Sequence, residues 1–568
     1  MFDLPGRICR ERMLRTKTCV MATWLRRLTV GMGALLAFSL FTVLYAHASR
    51  YYEPTSDTLS PMLEAREVLS GNPLLMHWYL GTVSNYTTDI LAFTIALRFL
   101  PFDVSTHYNV AGLLYALTVV ATAWLAARRG PVRRLDRIAV AAAIAIVAFP
   151  SPLLGSTVLR PSLHLTTIFW IILALIAIDG EPSIDERGNE TSKTLPHPFA
   201  WWRFALAWLF LSLAQIADNM TLYIALGPIA GISLLRLRRS RQGWQQEAGL
   251  LAVCAGAAIA AKVSAALVIG MHGYIMPAKA YNNHSHVVAF EHLADNVRYT
   301  LQGVMALYNG DFSGHPLTRG TLLLLAGSLG LWVVLESLRR LLSDEWRAQR
   351  EEKSSATSPS VDRIAAIAGL AMVVDVLCYA LSNLVVTTQT TRYLAPFVFY
   401  SAILIGRFGV PRWKLMDSRD GRAFWAATFV IAGLSWFYVF TARAIRIHLP
   451  GPPRTFRLGK WLSDHGLRHG YGGYWTANSI RVSSHDAVQI CPVWYPDRKF
   501  SRYRTELDER WYDARPANFL VLEDPPYAGI DANVARSVFG REARQYAVEG
   551  YTVLVWDKDI APLLPGTK

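Results

Sequence analysis

The sequence predicts a polytopic α-helical membrane protein of about 11 transmembrane helices, with a small α/β domain at its C-terminal end outside the membrane. Three observations lead there. Of 568 residues 52% are hydrophobic, and the mean hydropathy is +0.24, too apolar for a soluble enzyme of this length. Apolar stretches repeatedly reach the roughly 17 to 25 residues that cross a bilayer as a helix, whereas barrel strands would be about 10 residues with alternation. Finally, the net charge of +15 sits in short loops between the apolar stretches, where Lys and Arg set membrane orientation, so nucleic-acid binding is not indicated.

Spans fall near 28–46, 108–127, 138–150, 163–179, 201–217, 220–235, 248–270, 320–338, 364–387, 393–407 and 424–441. The N-terminal Arg7, Arg10, Arg12, Arg15, Lys17, Arg26 and Arg27 precede an apolar run that reads as an uncleaved signal anchor. A cleaved signal peptide is the alternative, because Ala46-His47-Ala48 offers small residues at cleavage spacing. With residues 1–27 inside the cell, the basic clusters around Arg128, Arg236, Arg339 and Arg407 all fall in the cytoplasm, and the C-terminus falls outside. Residues 89–102, short and interrupted by Arg98 and Pro101, then read as a helix lying at the outer interface. The domain plan is a basic N-terminus (1–27), a membrane domain (28–441) with outer loops 49–107 and 271–319, and an extracytoplasmic domain (442–568). In that last domain 518–523 and 551–556 read as strands, 480–482 and 487–490 as weaker ones, and 530–539 as a helix. This places the protein in the cytoplasmic (inner) membrane. The five cysteines lack metal-ligand or disulfide spacing.

Function is sought in the outer segments. Asp57 lies just outside the first span, before a short helix over 61–69 that Gly71 ends, and reads either as a helix cap or as a general base in a partly desolvated pocket. Glu53, Glu64, Glu67 and Asp89 are nearby acids, of which Asp89, again opening a helical stretch, is the better second carboxylate. Arg392 and Arg160 sit at outer helix ends, either snorkelling to the interface or holding an anion. Lys262 and Asp375 fall inside apolar spans, where they either pair with each other or line a pathway. Asp218 in an outer turn, His292 and Asp311 in the second outer loop, and Trp475 beside Tyr471-Gly-Gly-Tyr offer hydrogen-bonding and stacking groups for a sugar or acceptor. The histidines His284, His286 and His292 share no metal-ligand spacing, so no metal site is assigned there.

The order Asp57, seven residues, Ala65, five residues, Gly71-Asn72 resembles the first outer loop of the GT-C superfamily of polyprenyl-phosphate-sugar glycosyltransferases, which includes protein O-mannosyltransferases and aminoarabinose-transferase-like membrane enzymes. Thr391-Arg392-Tyr393-Leu394-Ala395-Pro396 is similar to a segment opening a late span in that superfamily. The resemblance implies a membrane transferase that moves a sugar from a polyprenyl-phosphate donor to an envelope glycan, lipid or protein on the outer face, with inversion. Asp57 and Asp89 would then be catalytic, Arg392, Arg160 and Lys262 would hold the donor phosphate, and Asp218, His292, Asp311 and Trp475 would contact sugar or acceptor. Thr58 stands where relatives with protein acceptors carry a second acid. No cofactor is firmly implied, and a divalent cation is compatible only if Asp89 or Glu53 joins Asp57. A multi-span transporter or a flippase for lipid-linked glycans is the alternative, since it also explains many helices with intramembrane charge.

Overall fold

The computed structural model describes residues 28–29, 31–128, 134–179, 201–239, 244–276, 286–310, 331–339, 341–343, 362–408, parts of 423–441, 451–495, 500–513, 515–523 and 530–564. Among these residues four helices are long and apolar enough to cross a membrane: Gly31–Ser49, Val104–Ala127, Trp244–Gly270 and Arg363–Ala380. Leu165–Ile178 and Trp201–Ala217 are shorter apolar helices, and Arg134–Ala148, Gly227–Arg239 and Ala395–Phe408 complete the bundle. The stretch expected to lie at the interface is short and helical, a π-helical turn over Tyr86–Ile90 followed by Leu91–Ala96. It exposes Leu91, Ile95 and Phe99.

Most charged groups stand at the two ends of this bundle because its apolar middle solvates them poorly; Lys262 and the buried Asp375 are the exceptions within helices. At one end Arg407 ties four helix termini together. Its guanidinium donates to the Leu125 carbonyl at 2.9 Å, to Asp179 just after Leu165–Ile178, and at 3.0 Å to Asp362, the N-cap of Arg363–Ala380. Arg363 pairs there with Glu247 at 2.6 Å, and Arg128 approaches Asp179 at 3.6 Å. His164 stands at the opposite end of Leu165–Ile178, Arg392 in the turn before Ala395–Phe408, and Asp218 just after Trp201–Ala217.

The first span is held against Val104–Ala127 by the absence of a side chain. A Cβ on Gly112 would stand 2.5 Å from the Ala46 amide nitrogen and 2.7 Å from the Thr42 carbonyl. Both are backbone atoms that cannot swing away.

Beyond the bundle, the strand order Ser501–Arg502, Gln489–Trp494, His469–Gly472, Phe519–Glu523, Tyr551–Val555, Arg544–Val548 forms one mixed sheet. Its three middle neighbours, 489–494, 469–472 and 519–523, run parallel. Strands 519–523 and 551–555 fall where the β-branched runs predict them, and Ala532–Phe539 is the expected helix. Residues 480–482 do not form a strand. They lie in the helix Tyr474–Ser483, where Tyr474, Ala477 and Ile480 recur at intervals of three and are buried, a helical period that outweighs the β preference of Ile and Val. The 487–490 segment enters its strand two residues later than expected, at Gln489.

The sheet domain is docked on the segment that follows the first span, residues 49–107. Trp78–Tyr79 pairs antiparallel with Leu507–Asp508. Trp78 is buried with its ring edge-on to Trp511 at 5.1 Å, and burying a large apolar side chain contributes about 1.5–3 kcal/mol. The Asn478 amide donates to Ser56 Oγ at 3.2 Å, and Ser479 Oγ donates to the Pro54 carbonyl at 3.2 Å.

Gly112→Ala lowers the thermal midpoint of the detergent-solubilised protein, because overpacking a tight contact costs about 1–3 kcal/mol. An unchanged midpoint in differential scanning fluorimetry would mean the first span does not approach Val104–Ala127 so closely.

Candidate active site

Asp57 is the second residue of the helix Ser56–Leu69, but it does not cap it. Thr55 is the N-cap, and Thr55 and Thr58 exchange side-chain and backbone hydrogen bonds as a capping box. The cap being filled, the half-buried Asp57 carboxylate is free for other partners. Gly71, at φ 99°, follows the C-cap residue Ser70 and ends the helix in a backbone conformation that favours glycine, and Ala65 is fully buried.

The partner of Asp57 comes from the sheet domain. Tyr474, first residue of its helix, donates its phenolic hydrogen to Asp57 Oδ1, 417 residues away in sequence. The same phenolic oxygen lies 2.6 Å from Oε2 of Glu506, which is buried. A Cβ on Gly81 would stand 2.7 Å from Glu506 Oε1, so this glycine leaves room for the carboxyl group. Burial raises the Asp57 pKa, against the opposing hydrogen bond from Tyr474 and the fields of Arg392 and Arg160. Burial and the nearby Asp57 charge push Glu506 up to about 8. Glu64, on the same helix as Asp57 and fully buried, is held well above the usual carboxylate range by burial, then by Glu506 and Asp89.

Two cations face these acids. Arg160 follows the helix Pro152–Val158 and donates Nε–H to the Ser156 carbonyl at 2.6 Å. Burial and the neighbouring Arg392 lower its pKa, and Tyr52 and Asp57 act against them. Arg392 sits in the 3₁₀ turn Thr388–Leu394, its guanidinium 5.3 Å from the centre of the Tyr393 ring. Among the described residues no group hydrogen-bonds the Arg392 guanidinium. The backbone around the site is strained: Asn85, Ser162, His164 and Glu506 all have φ between 51° and 70°, and non-glycine residues held this way cluster at functional sites.

The remaining sequence candidates have other settings. Asp89 is fully buried and accepts from the Ser162 amide and Thr166 hydroxyl, both at 3.0 Å. Burial raises its pKa against those bonds. It braces the turn that carries Arg160, and the acid sharing a partner with Asp57 is Glu506 instead. Asp218 is likewise buried, 2.6 Å from His164 Nδ1 and accepting the Met220 amide at 2.9 Å. Burial raises its pKa, but the His164 contact together with the Met220 and Thr167 hydrogen bonds outweighs it, so the net shift is downward, and both of its oxygens are already bonded within the fold. Lys262 is exposed on the side of Trp244–Gly270 while Asp375 is buried in Arg363–Ala380, so they form no buried pair and Lys262 does not join the two arginines. His292 is exposed beside Glu291 at 3.5 Å. Asp311 lies outside the described residues. Trp475 is 41% exposed and edge-on to Tyr474 at 5.0 Å, which leaves it a free face next to Asp57's partner. Tyr471, in the same segment, is buried and stacked at 6.2 Å on Phe539. Among the described residues no group of three His, Cys, Asp or Glu side chains could hold a metal ion.

Among solved structures the chain is similar to ArnT from Cupriavidus metallidurans in its apo state, with a TM-score of 0.55 and 12% identity over 95% of this chain and 100% of that one. It is similar to the same protein bound to undecaprenyl phosphate, with a TM-score of 0.51 and 12% identity over 94% of this chain and 99% of that one. The fold is that of ArnT. An Archaeoglobus fulgidus oligosaccharyltransferase in its apo form aligns at a TM-score of 0.42 and 12% identity over 86% of this chain and 69% of that one. No protein-family model matches the sequence, and no curated protein matches it. The ArnT likeness spans bundle and sheet domain alike, so the junction that holds Asp57 lies within the shared fold.

Asp218→Ala leaves His164 Nδ1 buried without its partner, and an unsatisfied buried polar group costs about 1–3 kcal/mol. The lowered pKa of Asp218 means the stability it contributes is present above the ordinary aspartate value and is lost as pH falls through the lowered one. Thermal midpoints of wild type and variant therefore converge in acid; a constant gap down to strongly acidic pH would remove the ionised Asp218 from the account.

Proposed function

We propose that this protein is a GT-C glycosyltransferase that moves a sugar from a polyprenyl-phosphate donor to a cell-envelope acceptor on the outer face of the cytoplasmic membrane. The observation that carries the reading is that Asp57 lies within the fields of both Arg160 and Arg392, so a base and two phosphate-binding cations meet from three distant segments of an ArnT fold. The ArnT structure holding undecaprenyl phosphate supports the donor class. The transporter alternative finds no support in that fold.

In this reading the acceptor hydroxyl gives its proton to Asp57 as its oxygen attacks the anomeric carbon. The bond from that carbon to the phosphate oxygen breaks, and the polyprenyl phosphate leaves with the electron pair. Arg392, whose guanidinium has no other hydrogen-bond partner among the described residues, and Arg160 take the developing charge. One displacement inverts the anomeric carbon. Trp475 offers the sugar a stacking face. The segregation of Arg128, Arg363 and Arg407 to the opposite end supports an N-terminus in the cytoplasm and a sheet domain (442–568) outside; the expectation of about eleven spans rests on the apolar stretches of the sequence.

Purified protein in liposomes, supplied with a panel of polyprenyl-phosphate sugars, tests the reading. Asp57→Asn is expected to lower kcat by about 10²-fold or more, because a positioned base contributes on that scale. Arg392→Ala is expected to raise the donor KM by about tenfold, the scale of one charge-assisted contact, and Lys262→Ala to leave donor use unchanged. Full transfer by Asp57→Asn, or no transfer by the wild type from any donor of this class, would overturn the assignment.

A further inference from the structure

The phenol of Tyr474 has one hydrogen and two carboxylates within hydrogen-bond reach, Asp57 on one side and Glu506 at 2.6 Å on the other. A single O–H cannot satisfy two ionised acids, and a carboxylate only accepts. One of the two must carry the second hydrogen, or two negative charges would face each other across one oxygen in a buried site.

The surroundings decide which. Asp57 faces Arg392 and Arg160 and is half-buried. Glu506 is buried, and among the described residues no cation pairs with it. From the helix Ser56–Leu69 it meets Asp57, the Ser60 hydroxyl and, further along, Glu64; from Tyr474–Ser483 it meets Tyr474, while Asn478 holds its own carbonyl at 3.0 Å. Its neighbour in sequence, Arg504, is engaged by Glu509 at 2.7 Å. Behind Glu64 lies Asp89, and behind Arg160 the buried His107. Were Asp57, Glu64, Asp89 and Glu506 all ionised, four negative charges would oppose the two arginines, a field that repels a phosphate.

We propose that Glu506 is held as the carboxylic acid and, through Tyr474, fixes Asp57 as the one anion of the three, so that the sheet domain supplies two positioning residues to the base. Hydrogens then run in one direction: Glu506 O–H to the Tyr474 oxygen, Tyr474 O–H to Asp57 Oδ1. Oδ2 of Asp57 has no hydrogen-bond partner among the described residues and is left to take the acceptor's proton. The inference rests on Asp57 being the base of the proposed transferase. It goes further in making the outer domain part of the site, so that a chain with that domain undocked has its base unsupported.

The test uses the full-length protein in liposomes between pH 6 and 10. If Glu506 holds the proton, wild-type kcat is expected to fall as pH rises past about 8, the value to which burial and the Asp57 charge push it. Glu506→Ala is expected to lower kcat about tenfold or more with donor KM within about twofold, as loss of a base-orienting group does. Glu506→Gln, whose amide also donates to Tyr474, is expected to recover most of that loss and to show no inflection near pH 8. Infrared difference spectra of the same samples, which need no turnover, are expected to show a protonated-carboxyl C=O band titrating near pH 8 that disappears in Glu506→Gln. An inflection that persists in Glu506→Gln, or no such band in the wild type at neutral pH, overturns the inference. A wild type that transfers no sugar but shows the band, lost in Glu506→Gln, refutes the proposed function and leaves the proton on Glu506.

Discussion

Charge removed from water must be paired or neutralised, and in an apolar helical bundle that requirement dictates where each ionisable group can stand. At one end Arg407 satisfies itself on Leu125, Asp179 and Asp362, and by doing so fixes the termini of four helices relative to one another. At the other, acids and arginines are gathered in numbers that do not cancel. That imbalance separates a brace from a site, because a group left short of partners is available to a ligand or must hold a proton.

The brace and the site depend on each other through rigid helices. Leu165–Ile178 carries Asp179 at one end and His164 at the other, and Ala395–Phe408 runs from the turn bearing Arg392 to Arg407. Fixing the Arg407 end therefore sets the positions of the two turns that face Asp57. The Asp218–His164 pair and the Asp89 bonds to Ser162 and Thr166 hold the Arg160 turn in its left-handed backbone states. These buried acids do not perform chemistry in the proposed reading. They hold in place the arginine that does.

The docking of the sheet domain closes the arrangement from above. It combines apolar burial at Trp78 and Trp511, strand pairing of Trp78–Tyr79 with Leu507–Asp508, and the Tyr474 hydroxyl placed between two acids. The first two supply stability and are indifferent to pH. The third has no function unless the first two hold, since a phenol is a useful bridge only where water cannot replace it.

Several features were legible in the sequence because they are local. Length and hydropathy marked the helices, Gly71 the end of the loop after Asp57, β-branched runs the strands 519–523 and 551–555, and the Asp57–Ala65–Gly71 spacing with the Arg392 segment pointed to the fold that the ArnT likeness shows. Arg160 and Arg392 were readable as basic groups at outer helix ends. What sequence could not show is which acid is the partner of Asp57. Asp89 was the reasonable choice, being near in the chain, acidic and at a helix start, yet its oxygens are used on the Arg160 turn. Glu506 carries no mark in the sequence; its role comes from a left-handed residue in a loop of a separate domain, brought by strand pairing to a phenol 32 residues before it and through that to Asp57. The sequence by itself determined the solvent each segment requires, because transfer from water is a property of composition. Only the tertiary structure decided which charges meet, since Coulombic and hydrogen-bond partners depend on distances of a few ångströms that chain separation does not record.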